Sequence, residues 1–184
     1  MLDSTLPDNT TPPHPRPDTP AAAIAALMEG NRAFSHLLAE HSADGAPAVM
    51  HIPLEDLGLS RPGVAPRQQP FAAFLGCADA RAPVELIFGQ AANNLFVVRV
   101  AGNILDAAGL GSLNFAVERL GTVRLLCVLG HTGCGAASAA VDAYLAPASY
   151  LGVGRSAGLL DAERRCRYCA RADQPAGADH AAHC

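Results

Sequence analysis

FAAFLGCADARAPVELIFGQAANNLFVVRV, residues 71–100, decides the fold. Apolar runs at Phe71–Gly76 and Leu95–Val100 have the length and bulk of buried strands, and Pro83–Phe88 between them reads as a short helix opening at proline. The rhythm continues downstream. Leu110–Leu120, whose Leu113, Val117 and Leu120 recur at helical spacing, leads to a third apolar run at Val123–Leu129 and then to a helix over Cys134–Leu145. Strand, helix, strand, helix, strand predicts an α/β fold: a parallel β-sheet core flanked by helices and joined by right-handed crossovers. Ligands gather where the strands of such a sheet end, so Cys77 and His131 should converge there.

Upstream, Thr19-Pro20 reads as an N-cap followed by the first helical residue. Ile24, Leu27, Asn31, Phe34 and Leu38 then repeat at helical spacing to about His41. Residues 1–18 hold five prolines and few large apolar side chains, too little to offset their ordering entropy, so a disordered tail is expected. Residues 42–69 suggest an irregular connection with at most a turn of helix near Leu54–Leu57. Beyond Gly158 the apolar period is lost, which delimits one domain at 19–158 and an atypical, disordered tail at 159–184.

Composition narrows the function. The 184 residues are half hydrophobic with a net charge of -4, enough for one substantial core. Without a basic stretch or many aromatics, nucleic acid is not a partner. No apolar run approaches the roughly 20 residues of a membrane span, so no membrane partner is expected either. The N-terminus does not read as an export signal, which points to a cytoplasmic protein. Six cysteines in a reducing compartment read as metal ligands, nucleophiles or buried thiols.

Three of the ligand-type residues belong together. His131 and Cys134 lie in GHTGCG, whose glycines permit a tight turn, and Cys77 ends another strand. Two thiolates and one imidazole suit zinc with its fourth position open. Each piece alone has a plainer explanation, a small buried cysteine or a chance His-x-x-Cys, but three at one sheet edge do not. Asp79 and Arg81 alternate with Cys77 in CADAR and would share its side if the segment stays extended. They can be an ordinary surface ion pair. Beside a metal, Asp79 can accept a hydrogen bond from bound water while Arg81 holds it, or it can swing onto the metal and close the site.

CADAR at 77–81, PVELIFGQAANNLFVVRVAGN at 83–103, VLGHTGCG at 128–135 and LMEGNRAF at 27–34 resemble the β-class carbonic anhydrases in order and spacing. The likeness runs from about Thr19 to about Leu145. It implies zinc on Cys77, His131 and Cys134, with Asp79 a further ligand in a closed state only, and Asp79 and Arg81 as the catalytic dyad. It further implies that Gln68 helps hold the substrate; Phe96 and Phe115 fall at pocket-lining positions, though ordinary core packing explains them equally. The implied function is reversible hydration of carbon dioxide to bicarbonate and a proton, by a homodimer or higher homo-oligomer.

The chain departs from the family in two places. Alanines at 78 and 80 replace serines usual beside the aspartate, removing hydroxyls but no charge. After YLGVGRSAGL the likeness stops, so the last sheet strand is missing from the pattern and Val123–Leu129 is left as an apolar edge. A truncation or reading-frame change is the expected origin, and the other frames of the encoding DNA should carry the strand. Cys166-x-x-Cys169 reads as chance cysteines; His180, His183 and Cys184 are the residues that a second zinc site would have to recruit. The alternatives to hydration are hydrolysis of carbonyl sulfide or carbon disulfide, and a non-catalytic zinc-binding homologue.

Zinc lowers the pKa of bound water from 15.7 towards about 7, a value familiar from carbonic anhydrases with three histidine ligands, so that hydroxide can attack carbon dioxide. Two thiolates give the metal more charge and make that water less acidic. The pH-rate profile should therefore rise into the alkaline range, and a flat profile would contradict this reading.

Overall fold

The computed structural model describes residues 16–41, 48–51 and 67–146. Their elements are α1 (Pro20–His41), β1 (Ala72–Cys77), α2 (Val84–Ile87), β2 (Leu95–Val100), a 3-10 turn (Ala101–Asn103), α3 (Ala107–Arg119), β3 (Leu125–Leu129) and α4 (Gly135–Leu145). The strands form one parallel sheet in the order β2-β1-β3, flanked by helices. No helix among the described residues is long and apolar enough to cross a membrane. The expected N-terminal tail up to residue 15, the turn near Leu54–Leu57 and everything from 147 onward lie outside the described residues.

Strand positions match the apolar runs to within two residues, because these runs have no helical competitor of sufficient length. The ends of α1, α2 and α4 match to within one residue, and only the start of α3 differs by more. α3 starts at Ala107, three residues before its apolar stripe, because the Asp106 carboxylate accepts the Gly109 N–H (2.7 Å) and caps the first turn. α2 is only one turn long, and Gly89, at φ 58°, takes the chain out of it. Thr19 caps α1 as expected, its Oγ1 accepting the Ala22 N–H (3.2 Å).

Two compact units divide the chain, and each takes part of the strands. In the first, α1 packs on α2. The buried stripe of α1 is Ala23 and Leu27, continued by Gly30, while Ile24 and Leu38, expected on the inner face, are about half exposed. Close approach explains the shift. A Cβ on Gly30 would lie 1.8 Å from the Phe88 carbonyl oxygen, so only glycine lets α1 meet the last carbonyls of α2. Asn31 donates to the Ile87 carbonyl (3.1 Å) and Gln90 to that of Phe88 (2.8 Å), satisfying carbonyls that the end of α2 leaves open. Phe96 and Phe115 pair with ring centroids 6.4 Å apart.

In the second unit, α4 lies on the 3-10 turn, where Ile104, Ala140 and Val100 form a small core. Gly102 sits at φ 68°, and a Cβ there would come within 3.3 Å of the Ala136 side chain. The alanine-rich α4 can approach because its side chains are short. In α3, Leu113 is buried as expected, but Val117 is 54% exposed and Ala116 is fully buried in its place. A stripe stepping by four and then three residues, 109, 113 and 116, follows the helix better than 113 and 117 alone.

Gly30→Ala should destabilise the protein by about 1–3 kcal/mol in denaturant unfolding, the usual cost of overpacking a close contact. Gly111→Ala is the control. Its site in α3 has nothing within 4 Å, and the change should be neutral or stabilising by up to about 1 kcal/mol.

Candidate metal centre

All the groups that converge lie in the second unit. Cys77 is the buried last residue of β1, His131 follows the end of β3 by two residues, and Cys134 is the N-cap of α4. Gly133, at φ 67°, turns the chain between the latter two. The ligand atoms of the three residues lie within 4.8 Å of one another, and the two sulfurs are 3.8 Å apart. A disulfide would need about 2.05 Å. Two thiolates on one tetrahedral zinc, each at about 2.3 Å, would stand about 3.8 Å apart, so the pair fits that ion.

The imidazole is oriented for the same purpose. His131 Nδ1 lies 3.0 Å from the Thr132 carbonyl oxygen, which requires the ring proton there and leaves a lone pair on Nε2. Nε2 is buried without a hydrogen-bond partner among the described residues, an atom that a metal would satisfy. Charge favours a cation as well. Burial pushes the Cys77 thiol up, but interactions with His131, with the backbone N–H groups of Asp79 and Gly102, and with Cys134 outweigh it and bring the thiol down to about 7. The Gly102 N–H is 3.3 Å from the sulfur. Interaction with the Cys77 sulfur, then the bond to Thr132, pushes His131 up.

CADAR does not stay extended past Cys77. The chain turns at Ala80 and Arg81, and Asp79 closes the turn by accepting the Arg81 N–H on Oδ1 (2.8 Å). The Arg81 guanidinium then forks onto the same carboxylate, Nε to Oδ1 (3.0 Å) and Nη2 to Oδ2 (2.7 Å). Asp79 and Arg81 thus share a side through a side-chain-closed turn, and strand alternation plays no part. Nη2 also donates to the Gly133 carbonyl (3.2 Å), tying this turn to the GHTGCG loop. Asp79 Oδ2 lies 3.8 Å from His131 Nε2. The Arg81 side chain, and next its backbone N–H, hold the Asp79 carboxyl well below the usual carboxylate range. A depressed carboxyl keeps its ion pair above the unfolded pKa and loses it only as pH falls through the folded one, so Asp79 stays ionised at neutral and mildly acid pH.

One participant escaped the sequence reading. Arg99 on β2 donates through Nε to the Cys77 carbonyl (2.9 Å) and through Nη2 to the Asp79 carbonyl. Its signal was available as the single charge in the otherwise apolar strand LFVVRV. Gln68 is exposed just ahead of β1 and belongs to the first unit, as do Phe96 and Phe115; none of them is among the groups gathered here.

Zinc titrated into a variant lacking the thiols of Cys166, Cys169 and Cys184 should bind at one ion per chain. Affinity should fall as pH drops through about 7, because the thiols must lose their protons to bind and Cys77 titrates near there. Cys77→Ser or Cys134→Ser should cost more than the 10–100-fold typical of losing an outer partner, by chelator competition.

The carbonic anhydrase family profile matches residues 72–158. Carbonic anhydrase 2 of Mycobacterium tuberculosis is 43% identical over 124 residues, 67% of this chain and 54% of the relative. The carbonic anhydrase of Mycolicibacterium smegmatis is 37% identical over the same shares. The chain therefore spans about half the length of these curated relatives. A Coccomyxa β-carbonic anhydrase solved with acetazolamide is 24% identical, with a TM-score of 0.47 over 81% of this chain and 59% of that one. With family motifs, profile and relatives in agreement, the chain belongs to the β-class carbonic anhydrases.

Proposed function

We propose that this chain hydrates carbon dioxide reversibly to bicarbonate and a proton, using zinc held by Cys77, His131 and Cys134. The observation that carries the reading is the convergence of those three ligand atoms within 4.8 Å beside an arginine-locked carboxylate. Zinc bound there would make water a nucleophile at neutral pH. The rest falls to the chain's own side chains.

Asp79 is too acidic, under the Arg81 fork, to keep a proton at neutral pH. Its role is therefore to accept a hydrogen bond from the attacking water and aim its lone pair at the carbon, while the released proton passes to solvent. Because Arg81 engages both carboxylate oxygens, moving Asp79 onto the metal would break the fork, which favours the open arrangement over the closed one. Gln68 would hold the substrate through its carboxamide, donating to a bicarbonate oxygen. In keeping with the family, the active form would be a homo-oligomer, and the cytoplasm its compartment.

Carbon dioxide hydration by stopped flow, with zinc quantified in the same sample, tests the reading; carbonyl sulfide and carbon disulfide as substrates separate it from hydrolysis of sulfur analogues. Asp79→Ala and Arg81→Ala should each lower kcat by about 100-fold or more while zinc is retained. A chain that carries zinc yet shows no hydration would overturn the proposal in favour of a non-catalytic zinc-binding homologue.

A further inference from the structure

Just ahead of β1 and β2 the Phe71 N–H donates to the Asn94 carbonyl (2.9 Å). One residue earlier Asn93 sits at φ 69°, in the left-handed region, so its backbone does not continue the extended run of β2. Its side chain takes over there. Asn93 Oδ1 accepts the Gln69 N–H (2.9 Å), and Nδ2 donates to the Arg67 carbonyl (3.0 Å). These two bonds flank Gln68. They are the pair that one residue of a parallel neighbouring strand makes, its carbonyl to the N–H of the residue after and its N–H to the carbonyl of the residue before. A carboxamide carries the same donor and acceptor as a peptide group, and here it stands in for one.

Arg16 fastens the same place, Nη1 donating to the Gln69 carbonyl and to the Asn93 carbonyl (2.6 Å). All of these residues belong to the first unit. Gln68 itself is exposed, so its direction is set by the backbone on either side of it and not by packing.

We propose that Asn93 is a positioning residue for Gln68, its carboxamide fixing the backbone around the glutamine and so aiming the side chain that holds bicarbonate. The assignment rests on the proposed role of Gln68. Asparagine has a plainer use at a left-handed position, which it tolerates better than most residues while bonding within its own turn. This carboxamide instead places its two bonds 24 and 26 residues away in sequence, on the peptides before and after one residue.

Asn93→Gly removes the carboxamide and keeps the left-handed backbone without strain. On the full-length chain with zinc bound, the Gln69 amide, having lost its acceptor, should exchange about tenfold faster or more, while the amides of β1 and α3 keep their rates and report an intact fold. In bicarbonate dehydration KM should rise by about 3–10-fold, the loss of one neutral hydrogen bond to substrate, with kcat unchanged. Gln68→Ala should raise KM to the same extent and the double variant no further, because Asn93 acts only through Gln68. Asn93→Asp keeps the acceptor and loses the donor, so its Gln69 amide should stay protected, which a general loosening of the segment would not allow.

The two ideas fail in different ways. No turnover, or an unchanged KM in Gln68→Ala, overturns the role of Gln68 and the assignment with it. If Gln68→Ala raises KM and Asn93→Gly does not, or lowers kcat instead, the assignment of Asn93 alone falls. Equal exchange of the Gln69 amide in wild type and Asn93→Gly, or in Asn93→Gly and Asn93→Asp, overturns it as well, by a measurement that needs no activity.

Discussion

Where β1 leaves the sheet, Arg99 supplies the Cys77 carbonyl with a partner that the strand no longer gives, and it joins the Ala82 N–H (3.0 Å) on the Asp79 carbonyl. The β1–β2 ladder reaches one residue further, with the Ala78 N–H on the Val100 carbonyl (3.2 Å), and then the guanidinium takes over. This fastening determines which way the chain faces as it turns. With the backbone held, the Cys77 sulfur meets the Gly102 N–H and the Cys134 sulfur, and the Asp79 carboxylate meets Arg81.

Charge balance in this small space follows from the same arrangement. Two thiols and a carboxylate are brought together, and an uncompensated cluster of that kind would resist ionisation. Arg81 and backbone N–H groups offset it, and His131 presents to the same point an Nε2 that has no hydrogen-bond partner among the described residues. The two sulfurs and Nε2 gathered there are a donor set that could hold one cation. Arg81 has a second part in this, since its contact with the Gly133 carbonyl joins the turn after β1 to the loop after β3.

Glycines set the backbone approaches that the side-chain pattern could not reveal. Gly30 admits the Phe88 carbonyl against α1, and Gly102 admits α4 against the 3-10 turn. Both were visible as residues and silent as contacts. The apolar stripes of α1 and α3 misled for a related reason: spacing identifies a face but not which of its members a neighbour covers, so Ile24, Leu38 and Val117 remain exposed.

The three strands, the helices between them and the ligand-type residues at strand ends were legible in the sequence, because period and residue chemistry are local properties. The same holds for membership of the family, carried by short motifs in a given order. The reason CADAR bends, the part played by Arg99, and the lone pair on His131 Nε2 depend on groups distant in the chain or on a hydrogen bond that appears only once the loop has closed. Those were decided by the tertiary structure, since carbonyls without partners and charges without compensation acquire definite neighbours only when the strands are side by side.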